Sequence, residues 1–250
     1  MTAAAADARW VLVTGGNRGI GGAVSLYLAD RGWNVAVAYL RDNGAAQTVA
    51  SAVRERGRRA VLHAGNLGDA EGCSQLVERV RLEAGRLDGL VHCAGLGALS
   101  PVLQAAPNRW RLAWDTHVGA LVRLVSLARA LFVRGGAVVA LTSLGAHRIM
   151  PGYGTIAAAK GAVEALVRYL AAELVEQDVN VNAVCGGPVD TGSLRSFSSF
   201  EALEVESRRR PPGRLGRPED LAPVVAFLLS PEARWIRGQV VVADGGFSLY

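Results

Sequence analysis

Directly after the apolar run Trp10–Thr14 comes the string Gly15-Gly-Asn-Arg-Gly-Ile-Gly21, and it constrains the fold more than any other part of the chain. The apolar run reads as a strand and the pattern after Gly21 as a helix, with glycines letting the backbone turn tightly between them. The same glycines let the backbone approach a pyrophosphate, whose charge the unpaired N–H groups at a helix N-terminus receive. A turn of this kind opens a βαβ unit, and the class it predicts is α/β.

Further short apolar runs alternate with helical patterns along the chain. The strand candidates are Trp10–Thr14, Asn34–Tyr39, 60–63, 87–93, 137–142, 180–184 and 239–243. Because they are apolar on both faces they read as buried parallel strands. Long helices are expected at about 108–133 and 155–177. Between 192 and 213 the periodicity fails, and the segment reads as a lid or substrate loop. With 250 residues and no linker-like stretch, the expectation is a single-domain, doubly wound, Rossmann-type parallel sheet of about seven strands. Its nucleotide-binding half spans about 9–134 and its catalytic half about 135–250.

Composition narrows the function classes. The N-terminal segment lacks a basic region followed by an apolar one, and no apolar run approaches the roughly 20 residues that span a bilayer. Cys73, Cys93 and Cys185 are widely spaced and in no CxxC arrangement, so neither a disulfide framework nor a metal site is indicated. A reduced cytoplasm is the expected location. The net charge of +5 comes from scattered basic residues, with a run only at Arg208-Arg209-Arg210, so nucleic-acid binding is not expected. A solvated surface that receives an acidic carrier protein is an alternative use of that charge.

The second chemical signal is Ser143-Leu-Gly-Ala-His-Arg-Ile-Met-Pro-Gly-Tyr153-Gly-Thr-Ile156-Ala-Ala-Ala-Lys160. It resembles the active-site segment of a short-chain dehydrogenase/reductase, and Thr14–Gly21 fits that superfamily's TGxxxGxG turn. In most members a tyrosine stands four residues before the lysine. Here that place is Ile156, which has no proton to donate, and the nearby phenol is Tyr153, seven residues before Lys160. That spacing resembles enoyl-thioester reductases. The second half, through Asn182-Ala-Val-Cys-Gly-Gly187, Asp190-Thr191 and the stretch from Arg237 to Leu249, looks closest to the NADPH-dependent enoyl-acyl carrier protein reductase III type.

The resemblance implies roles residue by residue. Gly15, Asn17, Arg18, Gly19, Ile20 and Gly21 correspond to the dinucleotide turn. Asn66 and Leu67 stand where relatives contact adenine, and Cys93, Ala94 and Gly95 where the backbone approaches the cofactor. Gly187, Pro188, Val189 and Thr191 match the loop that bonds the nicotinamide carboxamide. Lys160 corresponds to the lysine that binds the nicotinamide ribose and favours ionisation of the phenol. Ser143 either bonds the substrate carbonyl or caps its strand. His117 replaces an asparagine that holds a water chain to the lysine; it either relays protons or is packed. His92, in place of another asparagine, reads as a satisfied structural histidine. Relatives associate through their fourth and fifth long helices and their last strand, so a D2 homotetramer is expected. Leu121, Leu124, Val125, Leu131, Phe132, Val163, Leu166, Val167, Leu170 and the tail from 245 to 250 supply its apolar surface.

Charge bears on the choice of cofactor. At the end of the second strand stand Ala38 and Tyr39, followed by Arg41, with Arg18 in the first loop. Two guanidiniums and no carboxylate at the strand end suit the 2′-phosphate of NADPH, with Asp42 in the next loop as the opposing sign. Spacing bears on the reaction. An enoyl-thioester reductase delivers hydride to the β-carbon while negative charge appears on the more distant thioester oxygen. A residue seven positions from Lys160 shares its helix face but lies about one turn, roughly 5 Å, beyond the four-residue place. The leading expectation is therefore NADPH-dependent reduction of the C=C bond of an α,β-unsaturated acyl thioester, on acyl carrier protein or CoA. The rivals are a carbonyl reductase with an atypical site and a non-catalytic NADPH-binding protein.

Overall fold

The structure, a computed structural model, describes residues 8–249; residues 1–7 and 250, which belong to the terminal segments read above, lie outside the described residues. Seven strands form one parallel sheet in the order β3-β2-β1-β4-β5-β6-β7. They are β1 Trp10–Thr14, β2 Asn34–Tyr39, β3 Ala60–Ala64, β4 Leu87–His92, β5 Phe132–Ser143, β6 Asn180–Gly186 and β7 Val240–Ala243. The helices in chain order are α1 Gly19–Asp30, α2 Asn43–Glu55, α3 Ala70–Ala84, α4 Pro107–Trp114, α5 Ala120–Leu127, α6 Gly154–Glu173, α7 Gly192–Arg195, α8 Phe200–Arg209 and α9 Pro218–Leu228.

Period-two alternation sends the side chains of each strand into two separate cores. Val11 and Val13 of β1 pack with Val24 and Leu28 of α1, Val49 of α2 and Val225 and Leu228 of α9. Leu12, between them, faces Leu76 and Val80 of α3, Leu121 and Leu124 of α5, and Val163 and Val167 of α6. This double cover explains why all six residues of β2 are buried and why its sequence shows no polar face. Each fully buried leucine contributes about 1.5–3 kcal/mol to holding the layers together. After β3 the chain crosses to the far side of β1 and enters β4. The crevice at the C-terminal ends of β1 and β4 is therefore the topological switch point where ligands of such sheets bind.

Two readings of the sequence are corrected. The helix expected over 108–133 is α4, a π-helical turn at Asp115–Gly119, and α5, which stops at Leu127. Phe132 already pairs with Leu87 of β4, so ladder bonding overrides the helical pattern at its end. The segment 192–213, read as a lid or substrate loop without periodicity, is found to carry the helices α7 and α8. Thr191 caps the first through its hydroxyl, and the ion pairs Glu204–Arg208 and Glu206–Arg210, at i,i+4 spacing, support the second.

Candidate active site

The turn after β1 is fixed by backbone contact. Gly15 has φ +63°, and a Cβ there would sit 3.2 Å from the backbone of Ala94; one on Gly21 would sit 2.2 Å from the Gly15 carbonyl oxygen. Thr14 Oγ1 accepts from Ala94 N at 3.0 Å and donates to His92 Nδ1, also at 3.0 Å. That leaves the His92 Nε2–H to donate to the Thr116 carbonyl at 3.2 Å. His92 is thus a satisfied structural histidine, and burial lowers its pKa to about 4. Burial also pushes the neighbouring Cys93 thiol up to about 12.

At the edge of this crevice, Asn17 donates to the Arg41 carbonyl at 3.1 Å and so ties the glycine turn to the end of β2. The Tyr39 hydroxyl donates to Asn43 at 2.7 Å. Asp42, the nearby acid, adopts φ 69° and accepts from Ala45 N at 3.0 Å as the cap of α2. The exposed guanidiniums of Arg18 and Arg41 have no hydrogen-bond or ionic partner among the described residues. Leu67 is buried, whereas Asn66 uses both ends of its amide locally, accepting from Gly68 N and donating to Asp69, each at 3.0 Å.

The chemical end is a cavity of about 390 Å³ that opens beside this turn. Ile20 of the turn, Ser143 at the end of β5, Tyr153, Lys160 and the loop Gly187, Pro188, Val189 and Thr191 all line it, with Leu144, Met150 and Phe197 adding apolar wall. Tyr153 immediately precedes α6. Its ring lies against Gly145, where a Cβ would meet two ring carbons at 2.5 Å, and meets Phe197 edge-on with centroids 6.0 Å apart. Burial raises the Tyr153 pKa, and a hydrogen bond with Ser143 opposes that rise. Ile156 points elsewhere: it is buried, occupies the space a side chain on Gly97 would need, and is absent from the cavity lining. Lys160 Nζ donates to the Leu141 carbonyl at 2.6 Å, and burial lowers its pKa to about 8. Thr191 places its methyl beside Gly19, so the two ends of the cleft meet there.

His117 sits in the π-helical turn, a distortion common near functional sites. Its ring is 4% exposed and lies against Gly95, and neither nitrogen has a hydrogen-bond partner. Burial, then the charges of Lys160 and His92, push its pKa well below the ordinary value; the Leu96 backbone opposes this without reaching bonding geometry. His117 does not line the cavity. Sequence reading passed over Glu164, one turn beyond Lys160. Its carboxylate is buried, with Thr142 Oγ1 donating to Oε1 at 2.7 Å and His147 Nε2 lying 2.6 Å from Oε2. The four-residue spacing from Lys160 on an otherwise small, apolar face was the available signal. A second signal was a count, since Lys160 is the only lysine among the basic residues. No cluster with metal-ligand character occurs among the described residues.

Known proteins resemble the chain along nearly its whole length. Residues 15–248 match the family described as enoyl-(acyl carrier protein) reductase. The chain belongs to the short-chain dehydrogenase/reductase superfamily. Among its short-chain reductase relatives, the 1-cyclohexenylcarbonyl-CoA reductase of Streptomyces collinus is 35% identical over 248 residues, covering 98% of this chain and 89% of that one. The 3-oxoacyl-[acyl-carrier-protein] reductase of Staphylococcus aureus is 31% identical over 237 residues, covering 94% and 96%. A short-chain dehydrogenase from Burkholderia cenocepacia, solved in complex with NADP, superposes with a TM-score of 0.89 at 30% identity, covering 96% of this chain and 98% of that one. As a short-chain dehydrogenase/reductase, this protein is an oxidoreductase. Its cavity is lined by a phenol, a hydroxyl and a lysine amine, groups able to stabilise an oxyanion.

Proposed function

We propose that this short-chain reductase uses NADPH to reduce the C=C bond of an α,β-unsaturated acyl thioester. The observation that carries the reading is that Tyr153 lines the cavity beside Ser143 while Ile156, at the usual tyrosine place, turns away toward Gly97. The residues present fit the cofactor. The glycine turn leaves bare backbone at the N-terminus of α1, and the unpartnered Arg18 and Arg41 suit a 2′-phosphate. Gly187, Pro188, Val189 and Thr191, which line the cavity, would hold the nicotinamide carboxamide. When bound, NADPH supplies hydride to the substrate β-carbon.

Tyr153 then donates a hydrogen bond to the thioester oxygen, where negative charge develops, and a proton from solvent on the α-carbon completes the saturated product. Ser143, which lines the cavity with Tyr153 and lowers the phenol's pKa against the effect of burial, is the second hydroxyl available to that oxygen. Lys160 holds a positive charge beneath the site and binds the cofactor ribose. His117, walled off by Gly95, serves here as packing and not as a relay. The Streptomyces collinus relative, named for reduction of a CoA thioester, supports the substrate class. The Staphylococcus aureus relative supports the rival, reduction of a 3-oxo thioester, which would need its proton donor nearer the carbon that receives hydride. Turnover of crotonyl-CoA with C4-deuterated NADPH tests the proposal. Deuterium on C3 of butyryl-CoA is expected, and no consumption of either compound would overturn it.

The homotetramer is proposed on new grounds. Leu121, Leu124, Val125, Val163, Val167 and Leu170 are consumed by the chain's own core, and Leu131, Phe132 and Leu166 pack partly against it. The exposed apolar groups include Trp110, Leu112 and Trp114 on α4, and Trp235, Val242 and Leu249 around β7 and the tail. Light scattering at about four times 26.2 kDa would support the assembly, and a monomer would refute it. A cytoplasmic location accords with three free cysteines, and no helix among the described residues is long and apolar enough to cross a membrane.

A further inference from the structure

Five groups surround the ammonium of Lys160. Their charges act on it: His92 of β4, His117 of the π-helical turn, the thiols of Cys93, just after β4, and Cys185 of β6, and Glu164 from its own helix. Burial keeps both histidines uncharged near neutral pH and pushes both thiols up to about 12. The thiols can therefore support a positive charge only at a pH far above neutrality. Glu164 is the one carboxylate in the group.

The position of that carboxylate is fixed from both sides. Thr142, next in sequence to the Leu141 carbonyl that accepts from Lys160, donates to Oε1, and exposed His147 reaches Oε2. Arg168, one turn further along α6, donates to the Glu164 backbone carbonyl and leaves the carboxylate to these two partners. A helix-to-strand tie needs only the Thr142 bond, which a neutral amide would make as well. The second carboxylate oxygen is taken up by exposed His147, and the only lysine of the chain lies one turn before Glu164 on the same helix.

We propose that Glu164 is a positioning residue for the reaction, the counter-charge that keeps Lys160 an ammonium at the pH of catalysis. The role rests on the reading of Lys160 as the residue beneath the phenol and the cofactor ribose. Lys160 is buried, and burial alone drives it toward its neutral form. An amine without its proton neither attracts the ribose hydroxyls as strongly nor favours phenolate at Tyr153. Glu164 opposes that loss from a distance, through charge and not through contact with substrate.

The single lysine makes the test direct. Protein grown with lysine carbon-13 labelled at Cε gives one side-chain resonance, whose shift with pH reports the protonation of Lys160 without substrate or cofactor. Glu164→Gln keeps the shape and the Thr142 bond but removes the charge. Its titration midpoint is expected to fall by about one pH unit, the scale of losing an opposite charge one helical turn away. NADPH affinity measured by fluorescence should then weaken at a lower pH than in the parent protein. A folded Glu164→Gln protein with an unchanged midpoint overturns the proposal and leaves Glu164 a structural tie. Should Glu164→Gln not fold, Glu164→Asp, which withdraws the carboxylate by one methylene, is read in the same way: a lowered midpoint supports the role and an unchanged one overturns it. Because the midpoint is read on the unliganded protein, failure of the enoyl-reduction reading would show in turnover and leave this titration untouched.

Discussion

The glycine turn after β1 and the wall around Tyr153 lie at the same end of the sheet, yet different forces shape them. In the turn, the fit is between backbone atoms: Gly15 against Ala94 and Gly21 against the Gly15 carbonyl, with Thr14 and His92 closing their hydrogen bonds locally. Around Tyr153, the fit is between side chains brought from β5, α6 and the loop beyond β6, and it keeps a lysine buried and both nitrogens of a histidine unpaired. On the function proposed above, the first region serves uniform binding and the second holds the electrostatic imbalance that the chemistry would use. Changes in the second should therefore cost rate, and changes in the first should cost affinity or stability.

Tyr153→Phe should produce the largest effect. Loss of a positioned donor lowers turnover by about 10² to 10⁴-fold, while NADPH affinity, measured by fluorescence titration, should stay within a few-fold of the parent. Parent-level turnover in the purified variant would remove Tyr153 from the chemistry and dissolve the contrast.

Arg41→Asp acts on the other region. Losing a charge-assisted bond and adding repulsion toward a 2′-phosphate should cost about 2 to 4 kcal/mol, or about 30- to 1000-fold in the preference for NADPH over NADH, with little change in kcat. An unaltered preference would transfer the role to Arg18.

Acid should expose the imbalance between the regions as a loss of stability. The folded pKa of His92, about 4, lies below its ordinary 6.5, so between those values the unfolded chain takes up a proton that the folded chain refuses. Stability should accordingly be intact above pH 6.5 and fall as pH drops through 6.5 toward 4, by about 3 kcal/mol for this residue, with His117 adding in the same direction. Urea unfolding at pH 7 and pH 4.5 measures the difference, and His92→Gln should shrink it.

The smallest expected effect is Gly15→Ala. At φ +63° an alanine costs about 1–2 kcal/mol, and its Cβ would press on the Ala94 backbone. The thermal midpoint should drop by a few degrees and NADPH binding weaken, with kcat at saturation nearly preserved.

How much the sequence revealed follows the same division. The strands and the switch-point crevice were legible because burial on both faces leaves uninterrupted apolar runs such as Val11-Leu12-Val13, and because a glycine turn advertises its backbone geometry. Tyr153, Ser143 and Lys160 were legible as a spacing. Glu164 could be found only by its four-residue spacing from Lys160, and its meeting with His147 not at all, since that depends on how the segment after β5 folds back over α6. The helix over 200–209 was hidden by its own ion pairs, whose charges broke the apolar stripe used to find helices. Leu121 and Leu124 read as surplus surface because periodicity reveals an apolar face but not how many layers share it.

The central claim is that displacement of the phenol from position 156 to position 153 selects the conjugated C=C bond. The most direct measurement is NADPH consumption by the purified protein with crotonyl-CoA and, in parallel, with acetoacetyl-CoA at equal concentration. The account predicts oxidation of NADPH with crotonyl-CoA and at most a trace with acetoacetyl-CoA; consumption with acetoacetyl-CoA alone would contradict it.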